Sequence, residues 1–425
     1  MKNKGIIIFI VILMIIVVVA GGILIYQILN HNTNIENNPN NINNNEQNPD
    51  SEDEKLVVEE KEPEIFKGNE RPIAVMIDNH PKAWPQANLN KAYLVYEIIV
   101  EGGETRLMAV FKNQYLQEIG PVRSARHYFL DYALENDAIY VHHGWSPQAE
   151  RDIPNLRVDY INGIQESAKD FWREKSKSAP HNLFTSTESI LTIAKRKGYD
   201  TTSNKNSVLN YVAYDVDLNE KYGIKEDETN QIIENIIDSS NSEQTTVETQ
   251  ENISQNENTS QTTTTTVENM EELQNSETTS ENNQNVSNTK TKVIKASTIT
   301  IPHSSLEEVQ YIYDEETKRY TRYAREKLQT DYSTGENITT KNIIITMCDN
   351  YTLNDSENKG RQGLDNIGTF DGYYITNGYA IPIKCTKVAR SSQTQYKDLD
   401  GNTIEVSDGN TFIHICPTKA DVVIE

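Results

Sequence analysis

Two short stretches concentrate side chains able to hold an anion: EGGETR (101–106) and GPVRSAR (120–126). Guanidinium forks match carboxylates and phosphates with paired N–H donors. Ser124 stands where a helix would begin, and a helix start adds free backbone N–H groups and partial positive charge. Arg106 follows a double glycine and could approach the same point as Arg123 and Arg126. Those arginines could equally pair with Asp78, Glu97 or Glu101 in a buried ion network, and both readings stand at this level. Ser124 as a nucleophile is the weaker idea, because no G-x-S-x-G elbow surrounds it and an N-cap role accounts for its hydroxyl.

Acid–base chemistry has a second set of candidates. HHGWSPQA places His142 and His143 at a strand end, and APHNLF carries His181. Neighbouring residues on a strand face opposite ways, so only one of the two adjacent histidines can serve a given site. Glu101, His143 and His181 are the candidate proton carriers, with Asp78 as a possible partner. No H-E-x-x-H or C-x-x-C spacing supports a metal, so neither a metal nor a cofactor is expected. Trp84, Trp145 and Trp172 could line a sugar-stacking wall or pack internally.

The elements that must position these groups alternate. RPIAVMID, LVYEIIVE (94–101), TRLMAVFK (105–112) and AIYVHH (138–143) read as strands. Tyr128, Leu130 or Asp131, and Leu134 recur at helical spacing after Ser124. Thr185 with Glu188 forms a capping box that opens a helix ending at Gly198. From VIKASTITIP (293–302) onward, short strand-like runs alternate with Asp371-Gly372, Asn377-Gly378, Asp400-Gly401 and Asp408-Gly409, which read as hairpin turns. The expected fold is an α/β amino-terminal domain with a mixed sheet (67–225), then a mostly antiparallel β carboxy-terminal domain (290–425).

Charge falls outside these parts. The 425 residues carry a net charge of −23, but residues 31–70 hold 11 acids against 3 bases and residues 226–289 hold 14 acids and no base. Both segments are rich in Asn, Thr, Gln and Glu. They read as a disordered tether (30–66) and a disordered insertion (226–289). No basic face suited to nucleic acid is evident, and the acidity says nothing about a substrate.

Gly5–Tyr26 is apolar and free of charge, long enough for a membrane core of about 30 Å. A transmembrane helix is therefore assigned to 5–29 after a cytoplasmic stub of residues 1–4. Lys2 and Lys4 precede it and no base follows until Lys55, which puts the bulk of the chain outside the membrane. No cysteine follows the run, which excludes a lipid-modified amino terminus. Cys348, Cys385 and Cys416 read as small buried hydrophobes, with a Cys385–Cys416 bridge as the alternative.

These motifs in this order resemble the YerB-like family of bacterial envelope proteins, a two-domain family of unknown function whose members are commonly lipoproteins. The resemblance rests on RPIAVMIDNHPKAWPQANLNKAYLVYEIIVEGGETR, GPVRSAR, HHGWSPQA, FWREK and PHNLF. In the second half it rests on KRYTRYAREKLQTDYSTGE and on the stretch from GYYITNGYAIPIKC to TFIHICP. It implies an envelope location but no activity. It singles out Asp78, Asn79, Glu97, Arg106, Arg123, Ser124, Arg126, Ser146 and Asn182 as candidate ligand-binding residues, and Glu101, His143 and His181 as motif residues too. The expected function is a membrane-anchored binding module for an anionic cell-wall ligand or an envelope protein. A cell-wall hydrolase or transferase using Glu and His is the alternative.

Overall fold

The computed structural model describes residues 61–223 and 291–425. The apolar run 5–29, most of the acidic tether and the insertion 226–289 lie outside the described residues. Within them, no helix is long and apolar enough to cross a membrane.

The first half supplies strands β1 (Ile73–Asp78), β2 (Leu94–Ile99), β3 (Thr105–Phe111), β4 (Ile139–His142) and β5 (Tyr160–Asn162), with helices α1 (Phe129–Glu135), α2 (Pro147–Asn155) and α3 (Thr187–Lys197). The second half supplies β6 (Thr298–Pro302), β7 (Glu308–Asp314), β8 (Arg319–Ala324), β9 (Asn342–Met347), β10 (Gly368–Thr376), β11 (Tyr379–Lys387), β12 (Gln395–Lys397) and β13 (Thr411–Cys416). The first half is a mixed sheet with helices, and the second is mostly antiparallel β, as the residue patterns predict.

The two halves share one 11-stranded sheet: ten strands run in the order β12-β11-β10-β9-β13-β2-β3-β1-β4-β5, and the short strand Ile294–Lys295 pairs with β11 off this path. Its seam is β13, which runs parallel to β9 on one side and to β2 on the other. β1 is antiparallel to β3 and parallel to β4. Every residue of β1, β2 and β3 is buried, because both faces of the sheet are covered. Ala74 and Met76 point into a core built around α1, while Ile73, Val75 and Ile77 point into a second core with Ile190 and Ile193 of α3 and with Ile299, Ile301 and Val309 of the β6–β8 sheet. Burying each such aliphatic side chain contributes about 1.5–3 kcal/mol before entropy is counted. That explains why these strands read as continuous apolar runs.

Three local expectations change. The helix after GPVRSAR starts at Phe129 with Tyr128 at its cap, so Ser124 is not an N-cap; its Oγ donates instead to the His143 carbonyl at 3.0 Å. The α3 helix ends on Gly198 in the left-handed region as expected, but its cap is Ser186, which accepts from Ser189 N. Thr185 instead donates to the Asp170 carbonyl. Asp371-Gly372 makes no turn: both residues lie inside β10, and a Cβ on Gly372 would sit 2.1 Å from the Ile345 carbonyl oxygen of β9. Asn377-Gly378 does form the turn between β10 and β11. Cys348, Cys385 and Cys416 are buried free thiols with no bridge among them.

Candidate functional site

The motif residues gather just beyond the carboxyl ends of the parallel strands β1 and β4, where open α/β sheets place their ligands. Asp78 is the last residue of β1 and lies opposite Arg106, near the start of β3. Glu101, Gly102 and Gly103 form a 3-10 turn after β2, with Gly102 at φ 75°. Arg123 and Ser124 lie beside the end of β4, tied by the His143 N–H to Arg123 carbonyl bond of 2.9 Å. Ser146 caps α2, accepting from Ala149 N at 3.2 Å.

These groups line one cleft of about 540 Å³: Asp78, Glu101, Arg106, Arg123, Ser124, Arg126 and Ser146, joined by His80, Glu104 and Trp145. Lys359 and Arg361 line it too, delivered by the loop between the short strands Asn350–Thr352 and Gln362–Leu364 of the second half. Neither was expected. The signal in the sequence is a basic Lys-Gly-Arg step inside an otherwise acidic loop.

Most of the charges are paired. Arg126 grips Glu101 with two nitrogens, Nε to Oε1 at 2.7 Å and Nη2 to Oε2 at 2.7 Å. Burial raises the Glu101 carboxyl, but this fork and Arg106 nearby hold it below the usual range. Arg123 Nε stands 3.1 Å from Asp78 Oδ2, and His181 Nδ1 meets the same oxygen at 2.8 Å. His80 stacks on His181 with ring centres 4.5 Å apart. Lys359 and Arg361 both contact Glu357, and Arg361 also pairs with Asp355 at 2.7 Å. Glu104 pairs outward with Arg325.

Arg106 is the exception. It is 7% exposed, and among the described residues no carboxylate comes within salt-bridge distance. Nη1 donates to the Ser124 carbonyl at 2.8 Å; Nε and Nη2 find no acceptor among the described residues. Burial, followed by the neighbouring charge of Arg126, lowers its pKa to about 9. Glu101 and Asp78 nearby offset only part of that lowering, so a bound anion at this cleft wall would stabilise the charged guanidinium further.

The other candidates lie elsewhere. Glu97 is wholly buried on β2: its Oε1 accepts from Asn79 Nδ2 at 3.1 Å and from Thr105 Oγ1 at 2.8 Å. Asn79 in turn accepts from Gln86 and Trp84. Asn182 fastens the 174–177 loop, donating to the Glu174 and Lys177 carbonyls and accepting from Arg173. His143 lines a separate cavity with Trp172 and Ile164. Glu101 and His143 therefore face different spaces, and Ser124 hydrogen-bonds a carbonyl rather than a base. The His181–Asp78 contact is an acid–base couple at hydrogen-bond distance, and Arg123 already neutralises its carboxylate.

Glu97, His303 and His414 bring three metal-capable atoms within 4.8 Å of one another. Arg322 Nη2 lies 3.0 Å from Glu97 Oε2 and supplies the positive charge there. The histidines continue the chain: His303 Nε2 meets His414 Nδ1, and His414 Nε2 meets the Tyr311 hydroxyl, each at 3.0 Å. Burial lowers both imidazoles. The set forms a sealed polar joint between β2, β7, β8 and β13.

Comparison with known proteins covers both halves. Residues 59–200 match the family "Protein of unknown function (DUF3048) N-terminal domain", and residues 298–413 match its C-terminal domain. A relative from Bacillus subtilis (strain 168), named "Putative lipoprotein YerB", is 28% identical over 355 residues, spanning 82% of this chain and 81% of its own. The crystal structure of the Bacillus subtilis YerB protein superposes with a TM-score of 0.60 at 25% identity, covering 84% of this chain and 94% of that one.

Proposed function

The chain belongs to the two-domain YerB-like family of unknown function, and on that premise we propose that it is an envelope protein whose 540 Å³ cleft binds an anionic ligand. In this reading the apolar run 5–29 anchors the chain, Lys2 and Lys4 stay in the cytoplasm and the two halves stand outside. The relative's lipoprotein name supports an envelope location for the family, reached there by a different kind of anchor.

One observation carries the binding reading: Arg106 is buried at the cleft wall and, among the described residues, pairs with no carboxylate and makes one side-chain hydrogen bond, to the Ser124 carbonyl. Around it, Arg123 and Arg126 are held rigid by Asp78 and Glu101, so a ligand meets fixed donors and loses little binding energy to ordering them. The ligand form suited to these donors is an anion with oxygen acceptors, such as a carboxylate, phosphate or sulfate. Glu101, fixed by Arg126 and held low, is poorly placed to deliver a proton at neutral pH, which favours binding over hydrolysis.

Thermal unfolding of the full chain in detergent tests this. Inorganic phosphate or a polyanion should raise the melting temperature of the natural chain in a salt-dependent way and leave Arg106→Gln unmoved. No rise with any anion, or an equal rise in the variant, overturns the reading.

A further inference from the structure

The cleft has a neighbour. On the other side of Ser124 and Gly144, His143, Ile164, Phe171, Trp172 and Arg173 line a second cavity of about 480 Å³. The two spaces adjoin. Gly144 sits in the left-handed region at φ +79°, and a Cβ built on it would lie 3.3 Å from Ser124 Oγ and 3.4 Å from Ile164 Cδ1. Ser124 lines the first cleft and Ile164 the second, and both flank Gly144, which has no side chain of its own to fill the space between them. Trp145, next in the chain, lines the cationic cleft.

The second cavity differs in chemistry from the first. Ile164 is 62% exposed, an unusual place for a large aliphatic side chain, and half-buried Trp172 stands beside buried Phe171. His143 has no side-chain partner among the described residues, and burial followed by Arg173 nearby lowers its pKa, so the ring is neutral at neutral pH. A neutral imidazole both donates and accepts a hydrogen bond. An aromatic–aliphatic floor with such a group at its edge fits a ring that is apolar on one face and hydroxylated at its rim.

We propose that the ligand is an acidic oligosaccharide that crosses Gly144, with an anionic group on Arg106 and a sugar ring against Trp172 and Ile164. This deepens the anion-binding reading and rests on it. Two linked contacts make affinity depend on length, because the second contact forms at a high effective concentration once the chain reaches it. A polyaspartate peptide could satisfy Arg106 but offers no hydroxylated ring for the second cavity.

The test is a calorimetric titration of the full chain with oligogalacturonates of one to six units, neutral oligosaccharides of the same lengths, polyaspartate peptides and inorganic phosphate. Affinity for oligogalacturonate should rise at least about tenfold once the chain spans both cavities. Trp172→Ala, and Ile164→Glu as a surface change that repels an acidic chain, should return it to the value of the single unit. Trp172→Ala, which changes no charge, should leave phosphate binding unchanged. Length-independent affinity, an equal length dependence for polyaspartate, or full-strength long-chain binding in Ile164→Glu overturns the saccharide assignment. Phosphate binding that Arg106→Gln removes then shows that the anion site itself survives. Loss of that phosphate binding from the natural chain sinks both.

Discussion

Glu97 Oε2 and Arg322 Nη2 stand 3.0 Å apart with neither side chain more than 2% exposed, one on β2 of the first half and the other on β8 of the second. Residues that the family resemblance marks as a site thus do different work. Some surround an open cleft; Glu97, braced by Asn79, fastens one half of the chain to the other; and Asn182 ties down the 174–177 loop. Removing one member of such a pair strands a buried charge, which typically costs about 3–5 kcal/mol. Arg322→Met should destabilise the chain by about that much in denaturant unfolding, and Glu97→Leu combined with it should cost less than the two single changes added together. Strict additivity would mean the pair carries no coupling.

Glu307 gives this joint a pH dependence. Burial, and then Glu97 nearby, push its carboxyl from 4.5 up to about 7, despite its bonds to Arg325. The folded chain therefore keeps a proton that the unfolded chain releases near 4.5, and this group's contribution to stability falls as pH rises from 4.5 through 7. The slope is at most about 1.4 kcal/mol per pH unit. Natural chain minus Glu307→Gln should decline across that window in parallel denaturant titrations; a flat difference would contradict the assignment.

Gly372 should not tolerate a side chain. A Cβ there would lie 2.1 Å from the Ile345 carbonyl oxygen and 3.0 Å from Cys385 Sγ, between strands that cannot separate without breaking the sheet. Gly372→Ala is expected to lose about 1–3 kcal/mol or more by overpacking. Gly401→Ala would meet nothing within 4 Å, but it carries positive-φ strain at +88°. It should cost only about 1 kcal/mol. Equal losses, read from urea midpoints, would refute the steric account.

The three cysteines should be silent in the folded chain. Burial pushes the thiols of Cys348, Cys385 and Cys416 up to about 12, leaving almost no thiolate to react. Iodoacetamide at pH 8 should modify none of them until denaturant is added, and then all three. Rapid alkylation of the folded chain would show an opening that the packed sheet does not have.

Much of this was legible in the sequence, for reasons particular residues make plain. The α3 helix announced itself because polar capping residues and Gly198 bracket an amphipathic run, all of it local information. The arginines of EGGETR and GPVRSAR could be grouped because both stretches flank strand ends, whereas Ser146, at the cap of α2, joined them only through the family resemblance. Ser124 misled because a Ser before a periodic run looks the same whether it caps a helix or bonds a neighbouring strand. Asp371-Gly372 misled because a glycine demanded by a close strand crossing is spelled like one demanded by a turn. The partner of Glu97, the basic pair at Lys359 and Arg361, and the continuity of the sheet through β13 are long-range facts with no local signature. Two separate sheets and one shared sheet have the same strand pattern.

The most direct measurement concerns Arg106 alone. Isothermal titration of the full chain with inorganic phosphate at low salt, with Arg106→Gln beside it, compares the cleft guanidinium that has no carboxylate partner among the described residues with a neutral group of similar shape. A charge-assisted hydrogen bond worth about 1.5–3 kcal/mol predicts at least a tenfold loss of affinity in the variant. Its unliganded melting temperature should be equal or higher, because burial disfavours the charge that the Gln lacks. Unchanged phosphate affinity in Arg106→Gln would contradict the account at its centre.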